Sequence, residues 1–178
     1  PIRQRKDNLW VSAKVLPTRM LITELTSLRV GEILEKNGDL IAFRSAIFDP
    51  DKLNKIMTHV EVDAVENICD IFKYNDREIK RDFSLMTKGR KSQSLSENNT
   101  GLGKDIFIEK GAKISCSILN SESGPIYIGK NAEVMEGSIV RGPFAMGESA
   151  VLKMGAKIYG ATTLGPYCKV GGEVNNSV

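Results

Sequence analysis

A chain of 178 residues, 41% hydrophobic and 26% charged, is long enough for one generous domain or two small ones, and its composition argues against disorder. A net charge of +3, with one Trp among sparse aromatics, provides neither the basic field nor the stacking platform of a nucleic-acid binder. Three scattered cysteines, Cys69, Cys116 and Cys168, make no disulfide framework or zinc motif, and no apolar run nears the roughly 18 residues of a membrane span. The expectation is a cytoplasmic protein with no membrane or nucleic-acid partner.

Along the chain, "NLWVSAKVLP" predicts a strand ending at Pro17. Thr18 then caps a helix whose apolar stripe is Leu21, Ile22, Leu25 and Leu28. In "GEILEKNGDLIAFRS", Asn37-Gly38 lies between apolar runs and favours the type I′ turn of a hairpin. "DPDKLNKIM" predicts a short helix with Asp49 as cap and Pro50 at its first position. "HVEVDAVENI" reads as a strand, and "NDREIKRDFSLM" as a helix burying Ile79, Phe83 and Met86. This alternation predicts an α/β N-terminal portion. The polar stretch "TKGRKSQSLSENNTG", residues 87–101, has no apolar rhythm and reads as a linker or loop.

From Ile106 a six-residue period takes over. Its anchors are Ile108, Ile114, Ile128, Val134, Val140, Met146, Leu152, Ile158, Leu164 and Val170. Four places after them stand Ala112, Ile118, Ala132, Ser138, Phe144, Ala150, Ala156, Thr162, Cys168 and Val174, mostly small. The phase slips by two around "NSESGP", which reads as a loop inserted at a corner. A period of six fits neither a helix nor a simple strand alternation. It fits a triangular coil in which each hexapeptide makes one flat strand and one bend, about 18 residues per turn. The fold expected is therefore an α/β N-terminal portion followed by a left-handed parallel β-helix of hexapeptide repeats. Its expected domains are residues 1–100, a partial α/β domain with linker, and 101–178, about four coils.

The stretches "LWVSAKVLPT", "NGDLIAFR", "GPIYIGKNAEVMEGSIVRGP", "MGAKIYGATTLGP" and "KVGGEVNNSV" give the chain a likeness to a known group. It resembles a bacterial family related to the bifunctional N-acetylglucosamine-1-phosphate uridyltransferase/glucosamine-1-phosphate acetyltransferase. The resemblance implies a sugar-nucleotidyltransferase-like domain joined to a β-helix acyltransferase domain, assembled as a homotrimer. It further implies work in sugar-nucleotide or cell-envelope precursor synthesis, by acyl transfer from acetyl-CoA or another acyl-CoA, by nucleotidyl transfer to a sugar phosphate with Mg, or by both. The partners implied are small sugar phosphates or nucleotide sugars.

The Gly-rich nucleotide loop and the late-coil histidine base of that family have no counterpart here. The only histidine, His59, lies outside the repeat without a sequence-placed partner and reads as structural or solvated. The expectation is a fragment, beginning at Pro1 and ending mid-repeat at Val178, whose catalytic residues lie outside it. No metal site is expected in the repeat, which has no histidine. Candidate substrate-binding residues are Arg141, Lys157, Tyr159, Lys169, Asn175 and Asn176, the cations and amides that would meet a sugar phosphate or a coenzyme pyrophosphate. For Arg141 and Lys169 plain solvation is the alternative, and for Asn175-Asn176 a corner turn. The alternative function is a non-catalytic trimeric β-helix scaffold or a sugar-nucleotide-binding protein.

Overall fold

The computed structural model describes residues 6–178, which fall into two compact units dividing between Asn67 and Ile68. Motif reading places the change of grammar at 100/101 instead. The difference arises because the long helix after Asn67 packs on the repeat.

The first unit is a four-stranded sheet in the order β1-β3-β2-β4, formed by β1 (Asn8–Val11), β2 (Glu32–Lys36), β3 (Asp39–Ser45) and β4 (Asn54–Met57). The β2–β3 hairpin turns at Asn37 and Gly38, both at positive φ, as the type I′ reading requires. Thr18 caps α1 (Arg19–Ser27) by accepting the Leu21 N–H at 3.2 Å. Leu21, Leu25 and Leu28 are buried against Leu34, Ile41 and Ala42, whereas Ile22 is exposed, so the buried stripe is narrower than expected. Asp7 accepts two hydrogen bonds at 2.7 Å from the Arg44 guanidinium, which also donates at 2.8 Å to the Leu28 carbonyl past the end of α1.

Two elements of this unit depart from expectation. The helix expected at 49–57 shrinks to a single 3₁₀ turn, Pro50–Lys52, without a side-chain cap from Asp49, and the chain then enters β4. The strands expected at 8–17 and 59–68 pair through an isolated bridge, Val15 to Ala64, beside which Lys14 donates to Glu66 at 2.8 Å. Pro17 offers no N–H to extend that ladder. Val60 and Val62 still pack on the core through their side chains.

The second unit opens with α2 (Ile68–Thr87), which starts seven residues earlier than expected, with Ile68 exposed and Asp70 in the favourable first turn. It buries Ile79; Phe83 is half-buried and Met86 exposed. Strands then follow in coils. The first coil holds β5 (Thr100–Leu102), β6 (Ile106–Ile108) and β7 (Lys113–Ile114). The second holds β8 (Ile118–Asn120), β9 (Ile126–Ile128) and β10 (Glu133–Val134). In the third are β11 (Ile139–Arg141), β12 (Phe144–Met146) and β13 (Val151–Leu152). In the fourth are β14 (Lys157–Tyr159), β15 (Thr162–Leu164) and β16 (Lys169–Val170), and β17 (Glu173–Asn175) begins a fifth.

These strands stack as three parallel sheets: a first face β17-β14-β11-β8-β5, a second β15-β12-β9-β6 and a third β16-β13-β10-β7. Together they enclose one core of Leu119, Ile128, Val134, Val140, Phe144, Met146, Leu152 and Ile158, none more than 1% exposed. Ala132, Ala150 and Ala156 are fully buried in the corners, where larger side chains would not fit. This is a three-sided parallel β-helix.

The register resolves the phase slip into two opposite changes. Asn120 pairs with Arg141 and Ile126 with Phe144, so the loop after β8 is three residues longer than its counterpart. Ile114 pairs with Val134 and Leu119 with Val140, so the corner before β8 is one residue shorter. As a result Leu119 takes the interior place, Ile118 turns outward and Ser117 is the buried small residue. A further corner, after Val170, is shortened by two, which seats Val174 beside Ile158 rather than in a small-residue place. Cys116 and Cys168, at corners, are exposed rather than packed.

Residues 87–101 have no apolar rhythm because side chains, not a core, organise them. Residues 92–99 run beneath the first coil and bond to it across 15 to 19 residues. Gln93 donates to the Ala112 carbonyl and accepts the Gly111 N–H. Asn99 donates to the Ile114 carbonyl and accepts the Ser117 N–H, both at 2.9 Å, while Ser92 accepts the Ile108 N–H. The segment closes an edge that would otherwise present unpaired backbone groups.

Helix α2 lies over the second face. Two turns into the helix Asn75 donates to the Ala161 carbonyl at 3.0 Å and accepts from Thr163 at 2.7 Å. Just past its C-terminal end Arg90 pairs with Glu109 at 2.6 Å and lies over the Phe107 ring. Tyr127 donates to the same Glu109, whose carboxyl is held below its ordinary range first by that bond and then by Arg90.

Asn99→Ala strands two backbone groups of the first coil and should lower stability by about 1–3 kcal/mol in urea unfolding. Glu97→Ala, on the same segment and exposed, should stay within about 0.5 kcal/mol. In the first unit, the Arg44 hydrogen bonds hold the Asp7 carboxyl below its ordinary value. A depressed carboxylate stabilises the fold above its unfolded pKa of about 3.9 and loses that contribution as pH falls through the lower folded value. Wild type should therefore melt above Asp7→Asn at pH 7, with the gap closing below about pH 4, read by Trp10 fluorescence.

Candidate functional site

Each strand of the first face points its middle residue inward and its two flanking residues outward. Register therefore sorts the outward side chains into two columns. One runs Thr100, Ile118, Ile139, Lys157, Glu173. The other runs Leu102, Asn120, Arg141 and, beyond the paired Val140 and Ile158, Tyr159 and Asn175. Neighbouring strands lie about 4.8 Å apart, so Arg141 and Asn175 are separated by roughly 10 Å along the face.

The two ends of this face differ in chemistry. Leu102, Ile118 and Ile139 are each about two-fifths exposed and make an apolar end. Arg141, Lys157, Tyr159 and Asn175 make a polar end. Among the described residues neither the Arg141 nor the Lys157 side chain has a hydrogen bond or an ion pair. Tyr159 donates to Glu173 at 2.5 Å, and this bond, more than burial, raises the Tyr159 hydroxyl above its ordinary pKa. The outcome is two free cations beside a phenol that is held in place.

The other two candidates lie elsewhere or act differently. Lys169 is on β16 of the third face and is not brought together with Arg141. Asn176 has φ of 45° and accepts the Ala161 N–H at 3.1 Å, so its side chain serves the corner turn. Glu173 was not among the residues singled out by sequence. Its place opposite Lys157 follows from the shortened corner after Val170, whose Gly171-Gly172 pair is the available signal. His59 is exposed in the first unit.

Arg141 and Lys157 set two cationic side chains on adjacent strands, open to solvent, a chemistry able to meet an anionic group. Among the described residues no group of three or more His, Cys, Asp or Glu side chains could hold a metal ion. No helix among them is long and apolar enough to cross a membrane.

Comparison with curated proteins gives no match. A family model described as sugar nucleotidyl transferase matches residues 1–91, just over half of the chain, taking in the first unit and all of α2. The chain belongs to the sugar nucleotidyl transferase family.

Proposed function

We propose that this protein acts in sugar-nucleotide or cell-envelope precursor synthesis, with its β-helix serving acyl transfer to an amino or hydroxyl sugar. Family membership supports the sugar-nucleotide part of that reading. The acyl-transfer part rests on one observation, the unpaired Arg141 and Lys157 beside Tyr159 and Asn175 on a flat face. Their role is to bind and orient phosphate by charge-assisted hydrogen bonds. A bound acyl-coenzyme A supplies a thioester whose acyl group passes to the sugar's nitrogen or oxygen, the coenzyme leaving as the free thiol with the acceptor's proton. No residue of this face is assigned the task of taking that proton.

A second reading, a trimeric scaffold or sugar-nucleotide binder, is favoured by Leu102, Ile118 and Ile139. Ile118 and Ile139 are neighbours in one column and Leu102 stands across from them in the other, an exposed apolar patch that another copy of the chain would cover.

Calorimetric titration with acetyl-CoA separates the two. The acyl-transfer reading expects saturable binding that Arg141→Ala weakens by about tenfold or more, the worth of one or two charge-assisted hydrogen bonds. Absence of acetyl-CoA binding sinks it. If UDP-N-acetylglucosamine then binds instead, and Ile139→Glu turns a trimer into a monomer in sedimentation equilibrium, the scaffold reading stands.

A further inference from the structure

The outward column of the second face runs Phe107, Tyr127, Ala145, Thr163. The two aromatic rings stack at 5.8 Å, and the column then narrows abruptly to Ala145. Beneath α2 that narrowing leaves a groove of about 350 Å³. Its walls are apolar, with Ile79, Phe83 and Met86 from the helix and Tyr127, Ala145 and Pro166 from the β-helix. The volume falls within the range of small-molecule sites, which are mostly apolar with a few convergent polar groups.

Two carboxylates, Glu78 and Asp82, stand one helical turn apart along this groove. They are not equivalent. Glu78 is engaged by Arg77 at 2.8 Å and by Arg81 at 3.0 Å. Asp82 has no hydrogen bond or ion pair among the described residues. Its carboxyl is held above the ordinary range, first by partial burial and then by the neighbouring Glu78 charge. A carboxylate beside apolar walls and a like charge is stabilised by an incoming cation.

We propose that this groove binds a small organic cation, a protonated amine carried on an apolar or ring-shaped body. The ammonium pairs with Asp82, and the body fills the hollow over Ala145 against Phe83 and Pro166. Anions are repelled by the unpaired Asp82 carboxylate. A neutral ligand of the same shape gains the apolar contact and leaves Asp82 without a partner. The site lies on the second face, apart from the Arg141 column, and does not depend on acyl transfer.

The test uses the full 178-residue chain and three probes of one shape: benzylamine, benzyl alcohol and phenylacetate, titrated by calorimetry and by ligand-observed NMR. Benzylamine should bind saturably with one site per chain, benzyl alcohol about tenfold or more weakly, and phenylacetate not at all. Asp82→Asn, at a solvent-facing helix position, should bring benzylamine down to the level of the alcohol. Glu78→Gln removes only the neighbouring like charge, already engaged by Arg77 and Arg81, and should weaken benzylamine less than Asp82→Asn does. Ala145→Leu fills the hollow and should abolish binding of both probes, with unchanged circular dichroism as the folding control. Amine and alcohol binding alike, wild-type affinity in Asp82→Asn, or no saturable binding of benzylamine would each overturn the proposal.

Discussion

Every coil of the β-helix takes its main-chain hydrogen bonds from the coil beneath it, and the first coil has no predecessor. That one requirement explains residues 87–101. The stretch lacks the apolar residues to build a coil of its own, with Leu95 alone packed on the core. It pairs with the first coil through Gln93, Asn99 and Ser92, whose side chains do what a strand backbone would otherwise do. Amide side chains suit the task because each carries a donor and an acceptor, so one residue closes two orphaned backbone groups.

The same requirement governs where the repeat can vary. Strand pairing fixes the faces, so changes in length are confined to corners: three residues gained after Asn120, one lost before Ile118 and two lost after Val170. Each change leaves the next face in register, because a parallel ladder tolerates any corner that returns the chain to the same strand spacing. Corners also carry the left-handed backbone positions. Asn131, Ser149 and Tyr167 occupy equivalent bends at positive φ, without glycine, held there by the ladders on either side.

Much of this was legible in the sequence, for reasons that differ by element. The hairpin was readable because Asn37-Gly38 has few other uses, and α1 because Thr18 precedes an apolar stripe. Interior anchors from Ile128 to Leu164 were readable because a period of six has one good physical explanation. Ile118 was misplaced, and Leu119 missed, because insertion and deletion nearly cancel in spacing and only the register separates them. The edge-closing segment was opaque because polarity usually means solvent, and its partners lie 15 to 19 residues away. In the candidate site, Arg141 and Tyr159 share a column because they are one regular coil apart. Asn175 joins them only through the shortened corner, and Lys169 falls on another face because it sits between corners.

Helix α2 changes how the repeat must come apart. A stack of coils in which each touches only its neighbours can fray from either end, one coil at a time. Here a helix of 20 residues, about 30 Å long, lies along a stack of four coils that rises only some 19 Å. Asn75 holds it to the fourth coil at Ala161 and Thr163, and Arg90, just after the helix, holds it to the first at Glu109. Peeling away the fourth coil therefore means releasing a strap that is also fastened at the opposite end. The second unit is a one-dimensional array by sequence and a cooperative body by construction.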